Sequence, residues 1–254
     1  MEEKNIEIFK ANSLVQNTID SLTIQQNKLL CVLMGKYIVG AVKSVEENAP
    51  ESKMIDPELT IRDFIKLLNL SDCKDNYEMI RRECLNFHRN SIISFIDEKQ
   101  QEGVSLTYFD SIKIKNDTNI ITFKWSESIK SYVTELNDCF TKYLQGNFLL
   151  LKSKRSQVLY ELMKSYQSQK FITISVGDLK KKLNANKPSY EKFKYFNDHV
   201  LKKALKEING VTDIVVSVKP IKQGRNIVSL NFTITAKEPD FEIDEETGEL
   251  KNLG

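Results

Sequence analysis

Asp63-Phe64-x-Lys66-x-Leu68-Asn69 and Asp178-Leu179-x-Lys181-x-Leu183-Asn184 are one pattern written twice, 115 residues apart. Just downstream, Tyr77-Glu78 returns as Tyr190-Glu191, at an offset of 113. Upstream, Leu22, Leu29, Leu30, Leu33, Met34 and Tyr37 match Leu151, Val158, Leu159, Leu162, Met163 and Tyr166 at a constant 129. An offset that shrinks along the chain is what changes of loop length between fixed elements produce. The 254 residues therefore hold two copies of one small domain, and the reading turns on what that domain is.

Element order identifies it. Ser21 precedes an apolar-periodic stretch, Leu22 to Val39, that predicts a helix with Leu22, Leu29, Leu30, Leu33 and Tyr37 inward. Residues 43–57 carry two prolines and several acids and predict a loop. Leu59–Ile61 is a short strand, Arg62–Leu68 a helix, Asn69–Asp75 a turn and Asn76–Ser91 a second helix. Runs rich in β-branched residues then follow from Ile92 to Trp125. Helix, strand, helix, turn, helix and β-ribbon is the order of a winged helix.

The second half repeats that order. Helix is predicted from about Ser128 to Tyr166 with a break at Gly146-Asn147, then strand Phe171–Ile174 and helix Val176–Leu183. A turn through Pro188 leads into a long helix, Ser189–Ile208, closed by Asn209-Gly210. Strands Ile214–Val218 and Ile227–Thr235 flank a wing, Lys219 to Asn226, with Gly224 at its tip. The fold class is α+β: two tandem winged-helix domains related by internal duplication. The divisions are 1–12 a flexible N-terminus, 13–137 the N-terminal winged helix, 138–237 the C-terminal one, and 238–254 an acidic disordered tail.

The net charge of +2 conceals a segregation. Residues 1–150 hold 18 Lys and Arg against 22 Asp and Glu, a net of −4. Residues 151–237 hold 18 against 6, a net of +12, and the tail from Glu238 holds 1 against 7, a net of −6. A domain-sized block at +12 is the footprint of a polyanion-binding surface; a solvated lysine-rich face is the plainer alternative. A hydrophobic content of 41% with no membrane-length apolar run, a polar start unlike a signal peptide, and four cysteines without a CxxC pair predict a cytoplasmic protein with reduced thiols.

Placed at about 100° per residue, the helix Ser189–Ile208 puts Phe193, Phe196, Val200, Leu201, Ala204, Leu205 and Ile208 on one stripe. Lys192, Tyr195, His199, Lys202 and Lys206 fall opposite, while Asn197 falls unexplained in the apolar arc. In a helix-turn-helix the second helix enters the major groove and the first crosses the backbone. The candidate DNA contacts are thus Lys187, Ser189, Lys192, Tyr195, His199 and Lys202, with Lys222, Arg225 and Asn226 on the wing holding phosphate or minor groove. Lys180, Lys181 and Lys182 on the preceding helix are placed to meet the sugar-phosphate backbone. The first half offers a sparser set, Arg82, Asn86 and Arg89, with Tyr77, Ile80, Cys84, Leu85 and Phe87 inward; ordinary surface residues are the competing reading.

No enzyme is read here. His88 and His199 are the only histidines, so the His-x-His metal pair of rolling-circle nicking enzymes is missing. Cys84 and His88 are predicted to share the apolar arc with no fourth ligand, so a core cysteine and histidine outweigh a zinc site. Neither a nucleotide-binding P-loop nor a nucleophile motif occurs, and no cofactor or metal is implied.

Strings along this frame carry a resemblance: Asn12-Ser-Leu-Val-Gln, Leu22-Thr-Ile-Gln-Gln-Asn-Lys-Leu-Leu, Phe123-x-Trp125-Ser126, Tyr143-Leu144 and Leu151-Lys-Ser-Lys-Arg-Ser156. The closing block adds Tyr190-x-x-Phe193-Lys194, Val200-Leu201-Lys202-x-Ala204-x-Lys206-Glu207-Ile208-Asn209 and Lys222-x-Gly224-Arg225. In order and spacing the chain, from residue 12 to about 236, resembles iteron-binding plasmid replication initiators of the tandem winged-helix type.

That resemblance implies a protein that binds directly repeated double-stranded origin DNA as a monomer, reading it chiefly with the C-terminal domain. The N-terminal domain would add DNA contacts and mediate a homodimer that represses the initiator's own gene. Monomers would help open an AT-rich region and recruit the host replication initiator and helicase. The acidic tail lies outside the shared pattern. The alternatives are a winged-helix transcriptional repressor without initiator activity, a scaffold for acidic proteins and, more distantly, a nicking enzyme.

Overall fold

The computed structural model describes residues 6–18, 21–39, 53–97, 102–134, 136, 140–237, 241–243 and 250–252. In chain order the first half contains β1 (Glu7–Ala11), α1 (Asn12–Asn17), α2 (Ile24–Tyr37), β2 (Ile38–Val39), β3 (Lys53–Met54), β4 (Glu58–Thr60), α3 (Ile61–Leu67) and α4 (Lys74–Asn90). It continues with β5 (Ile92–Asp97), β6 (Glu102–Thr107), β7 (Phe109–Lys115), β8 (Ile120–Trp125) and the short α5 (Lys130–Val133). The predicted loop 43–57 lies outside the described residues up to 52, and β3 occupies part of the rest.

The duplicated pattern is a pair of helix brackets. At the start of α3, Thr60 Oγ1 accepts from Asp63 N while Asp63 Oδ2 accepts from Thr60 N at 2.8 Å, a reciprocal cap on the free N–H groups of the first turn. The second copy keeps half of this cap: Ser175 Oγ accepts from Asp178 N at 3.0 Å and donates to Asp178 Oδ2 at 2.6 Å. At the other end, Asn69 and Asn184 adopt left-handed φ of 50° and 47°. Leu70 N then reaches Ile65 O and Ala185 N reaches Lys180 O, the wide closing bond that ends a helix and throws the chain sideways. Thr60's hydrogen bonds hold the Asp63 carboxyl below the usual carboxylate range.

Each bracketed helix leads by a short turn to the longer helix of its unit. In the first unit α3 and α4 pack over the sheet β4-β8-β7. Phe64, Phe87, Phe109 and Phe123 are fully buried and meet mostly edge-on, with centroids 5.1–5.8 Å apart along Phe64–Phe123–Phe109–Phe87. Trp125 stacks on Phe109 and its indole donates to Ile55 O at 2.9 Å. Strands β5 and β6 form a separate hairpin.

The junction departs from expectation. Instead of continuous helix from Ser128 to Tyr166, the chain forms α5, then strand β9 (Phe140–Leu144), then α6 (Gln145–Leu150) and α7 (Lys154–Ser165). Phe140-Thr-Lys-Tyr-Leu alternates, burying Thr141 and Tyr143 and exposing Lys142, which is a strand pattern rather than a helical one. Its partner is β1, antiparallel from Glu7↔Leu144 to Ala11↔Phe140. The first dozen residues, predicted to be loose, therefore contain a paired strand whose partner lies about 130 residues away. Local composition could not reveal that pairing, and the ladder joins the two sides of the boundary placed at 137–138.

One charged node locks this ladder to α7. Lys10 Nζ lies 2.7 Å from Glu161 Oε1, and Tyr143 Oη donates to the same oxygen at 2.5 Å. The Lys10 side chain is 8% exposed and that of Glu161 16%. Burial alone would lower the Lys10 pKa, but the Glu161 carboxylate outweighs it and raises the ammonium above its ordinary value. Asn27 Nδ2 to Gln157 Oε1 and Gln16 Nε2 to Ser165 Oγ extend the seam.

The second unit continues with β10 (Phe171–Ser175), α8 (Val176–Lys182), α9 (Phe193–Phe196), a π-turn (Asn197–Leu201), α10 (Lys202–Val211), β11 (Ile214–Gln223) and β12 (Asn226–Ala236), in sheet order β10-β12-β11. Within the tail, β13 (Phe241–Ile243) pairs with β14 (Leu250–Asn252) where acid-rich composition predicted no structure; Phe-Glu-Ile is a strand alternation too short to show in composition. The rest of 238–254 lies outside the described residues. Among the described residues no helix is long and apolar enough to cross a membrane, and no disulfide joins Cys31, Cys73 and Cys84; Cys139 is not among those described.

Two outcomes follow. Asn184→Ala should cost about 1 kcal/mol in denaturant unfolding and Asn184→Gly little or nothing, because only the former adds left-handed strain. Glu161→Ala, which strands the Lys10 charge, should cost about 3–5 kcal/mol. Retention of wild-type stability by Glu161→Ala would show the node to be dispensable.

Candidate nucleic-acid interface

The long helix of the second unit starts later than predicted and is not uniform. A 3-10 turn, Pro188–Tyr190, is separated by Glu191 and Lys192 from a rod spanning residues 193–211. Ser189 and Lys192, assigned to the helix from sequence, sit exposed with Lys187 in the turn that enters it. The rod passes Asn209-Gly210 and ends at Val211, because Asn209 is not a cap. Its side chain accepts from Val216 N at 2.8 Å and donates to Val216 O at 3.0 Å, pinning β11 to the helix.

Inside the rod, Lys202 N bonds to Asn197 O, five residues back, rather than four. This wide turn explains the arc. Phe196, Val200, Ala204 and Ile208 are all buried at four-residue spacing, which in an unbroken α-helix would drift by about 40° per step. One π-turn takes up much of that drift and keeps the four in line. Asn197, placed in the apolar arc by a uniform 100° step, is half-buried at the start of the wide turn, where the uniform step fails.

Opposite the buried row lie Lys194, Asp198, Lys202 and Lys206, again at four-residue spacing. Lys194 and Asp198 were missed from sequence because the uniform wheel centred the polar face elsewhere. Tyr195 and His199 are exposed and stack nearly parallel, 13° between planes with centroids 6.4 Å apart. His199 also lines a cleft with Arg155, Tyr190, Lys203 and Glu207, to one side of the outward row.

The three lysines of α8 do not form one phosphate-facing set. Lys180 donates to Glu191 O at 2.8 Å and lies 5.6 Å from the Phe196 ring, bracing the turn from behind. Lys182 donates to the carbonyls of Val15 and Thr18 at the end of α1, which ties the two units together. Lys181 is exposed, with a loose 3.8 Å contact to Asp178. Arg155 stacks 5.2 Å from the Tyr190 ring and so supports the same turn.

The wing is tighter than predicted. Strands β11 and β12 run to Gln223 and from Asn226, leaving Gly224-Arg225 as the turn, with Gly224 at φ 61° and a register shift between Ile221 and Lys222. Lys222, Gln223, Arg225 and Asn226 are all exposed there, with no acid between them.

In the first unit Arg82 and Arg89 are exposed and Asn86 is half-buried on α4. Arg81 is committed elsewhere, its two terminal nitrogens donating to Asn116 and Asn119 and fixing α4 against the β7–β8 turn. Leu85, predicted inward, is 62% exposed and lies between Arg82 and Arg89 on the outer face. His88, predicted to share the core with Cys84, is exposed while Cys84 is fully buried, its thiol pushed up to about 12 by burial. The expected core pair is therefore only a core cysteine. The sequence errors arise because α4 is packed on one narrow side, by Ile80, Cys84 and Phe87. No cluster of three or more metal-ligating side chains occurs among the described residues.

Chemically these surfaces offer ammonium, guanidinium, amide and hydroxyl groups on the exposed side of a helix and on a hairpin of the same unit. That combination can neutralise phosphates and present donors and acceptors to base edges. If Arg225 contacts phosphate, Arg225→Ala should weaken duplex binding by about 1–3 kcal/mol regardless of sequence and flatten the salt slope. Equal affinities at every salt concentration would remove Arg225 from the interface.

Known proteins place the fold in context. The family model described as "Initiator Replication protein, WH1" matches residues 7–164, and that described as "Initiator Rep protein, WH2" matches 175–234. Among solved structures, the Pi initiator protein in complex with iteron DNA aligns over 93% of this chain and 99% of that one, with a TM-score of 0.74 and 22% identity, a likeness of fold. Domains 2 and 3 of RctB align over 92% of each chain at 14% identity, with a TM-score of only 0.41. No curated protein sequence matches. With both winged-helix modules matched in tandem over most of its length, the chain belongs to the Initiator Replication protein family.

Proposed function

We propose that this initiator-family protein binds directly repeated double-stranded origin DNA, without enzymatic activity of its own, and helps to open an adjacent AT-rich region where host replication proteins are recruited. The observation that carries the reading is the second winged helix. Its outward row Lys194, Lys202 and Lys206 and its acid-free wing belong to a block of net charge +12. Family membership and the fold shared with an initiator captured on iteron DNA support the same reading.

Residues 138–237 then act as the main reader through Lys187, Ser189, Lys192, Tyr195, His199 and Lys202, with Lys222, Arg225 and Asn226 on the flanking backbone or minor groove. Residues 13–137 contribute Arg82, Asn86 and Arg89 as a secondary contact. They also form a homodimer that represses the protein's own gene. The different charge of the two blocks, −4 and +12, supports such a division of labour.

Footprinting on the DNA that flanks the gene tests the proposal. Protection should fall on several direct repeats spaced near whole helical turns, beside an AT-rich stretch. Protection of a lone palindrome would favour a repressor, and no preference over random DNA would remove sequence-specific binding altogether.

A further inference from the structure

Asp198 is the one acid in the outward row of the recognition rod, with Lys194 four residues before it and Lys202 four residues after. Its side chain is 37% exposed. Lys202 Nζ reaches Oδ1 at 2.8 Å and Asn197 Nδ2 reaches the same oxygen at 3.4 Å. Oδ2 accepts from no donor among the described residues.

An ionised carboxylate at the centre of a surface that must approach a polyanion opposes binding through its charge. The hydrogen bond from Lys202 holds the Asp198 carboxyl below its usual range, so the free protein presents an ionised group. An exposed pair at i, i+4 adds little to helix stability, and that gain does not require the middle of the DNA-facing row. In the major groove a carboxylate, which only accepts, meets a matching donor at the exocyclic amino group of cytosine or adenine. It is repelled by guanine O6 and N7 and by thymine O4.

We propose that Asp198 is a specificity-determining residue, its unpartnered Oδ2 accepting from the exocyclic amino group of a cytosine or adenine in the target, with Lys202 fixing the carboxylate's orientation. The inference rests on the DNA-binding reading above. The carboxylate lowers affinity for DNA in general and recovers it only where an amino-bearing base is presented. Asp198 thereby converts a basic helix that would hold any duplex into one that discriminates.

Binding selection from a randomised duplex library, using the full-length chain and its Asp198→Ala and Asp198→Asn variants, tests this. The wild type should enrich a motif with an amino-bearing base at one position. Asp198→Ala should lose the preference at that position alone and bind unselected duplex several-fold more tightly, most clearly at low salt. Asp198→Asn, which keeps the side chain's shape but adds a donor, should gain the same general affinity and shift that position toward adenine. The proposal is overturned if both variants enrich the wild-type motif unchanged, which an ion pair serving the helix alone predicts. It is equally overturned if both lose preference at every position while unfolding at the wild-type temperature, since that would mark a general support role. If the wild type enriches no motif, sequence-specific DNA binding itself fails, and the two failures are told apart.

Discussion

The arrangement of both winged helices depends on a steric constraint at two asparagines. Asn69 and Asn184 each hold a left-handed backbone, which few residues other than glycine tolerate cheaply, and each ends a two-turn helix. Thr60 and Ser175 cap the starts of those helices by accepting from the backbone N–H groups of Asp63 and Asp178, so both ends are fixed by local chemistry. The turn beyond each asparagine then sets the direction of the longer helix that follows. In the second unit Lys180 and Arg155 brace that turn from within the domain. The helix that carries the outward lysine row is thus aimed by groups that lie outside that row.

The two units share this scaffold but are charged differently. The first spends an arginine, Arg81, on fixing its own hairpin turn, and leaves a sparse outer stripe of Arg82, Leu85 and Arg89 on α4. The second leaves Lys194, Lys202 and Lys206 on the outward row and Lys222 on the wing. Between them run polar and ionic ties: Lys10 with Glu161 and Tyr143, and Lys182 with the end of α1. A seam built from hydrogen bonds and charge rather than from apolar contact alone has directional requirements, which fix how the units are stitched.

Much of the architecture was legible in the chain. The bracket residues, the alternating runs of the sheets and the apolar stripe from Phe196 to Ile208 each report local or near-neighbour physics. The inward positions on the second long helix were found because its apolar residues are numerous and evenly spaced. On α4 the same method misplaced Leu85 and His88, because Ile80, Cys84 and Phe87 bury only a narrow side and leave neighbouring positions to solvent. Asp198 escaped notice because a single π-turn re-phases the helix, and a widened turn leaves no mark in a uniform wheel.

By itself the sequence determined the duplicated unit, its element order, the charge segregation and the cationic character of the second half, since periodicity, capping chemistry and composition act over a few residues or over whole blocks. Tertiary structure decided what depends on distant partners. Residues 7–11 become a strand because Phe140–Leu144 supplies their hydrogen bonds. Lys10 is buried because Glu161 neutralises it. Lys180 and Lys182 turn away from the outer surface because backbone carbonyls elsewhere in the fold need donors. Each of these is a pairing across many residues, and only the closed chain brings the two members together.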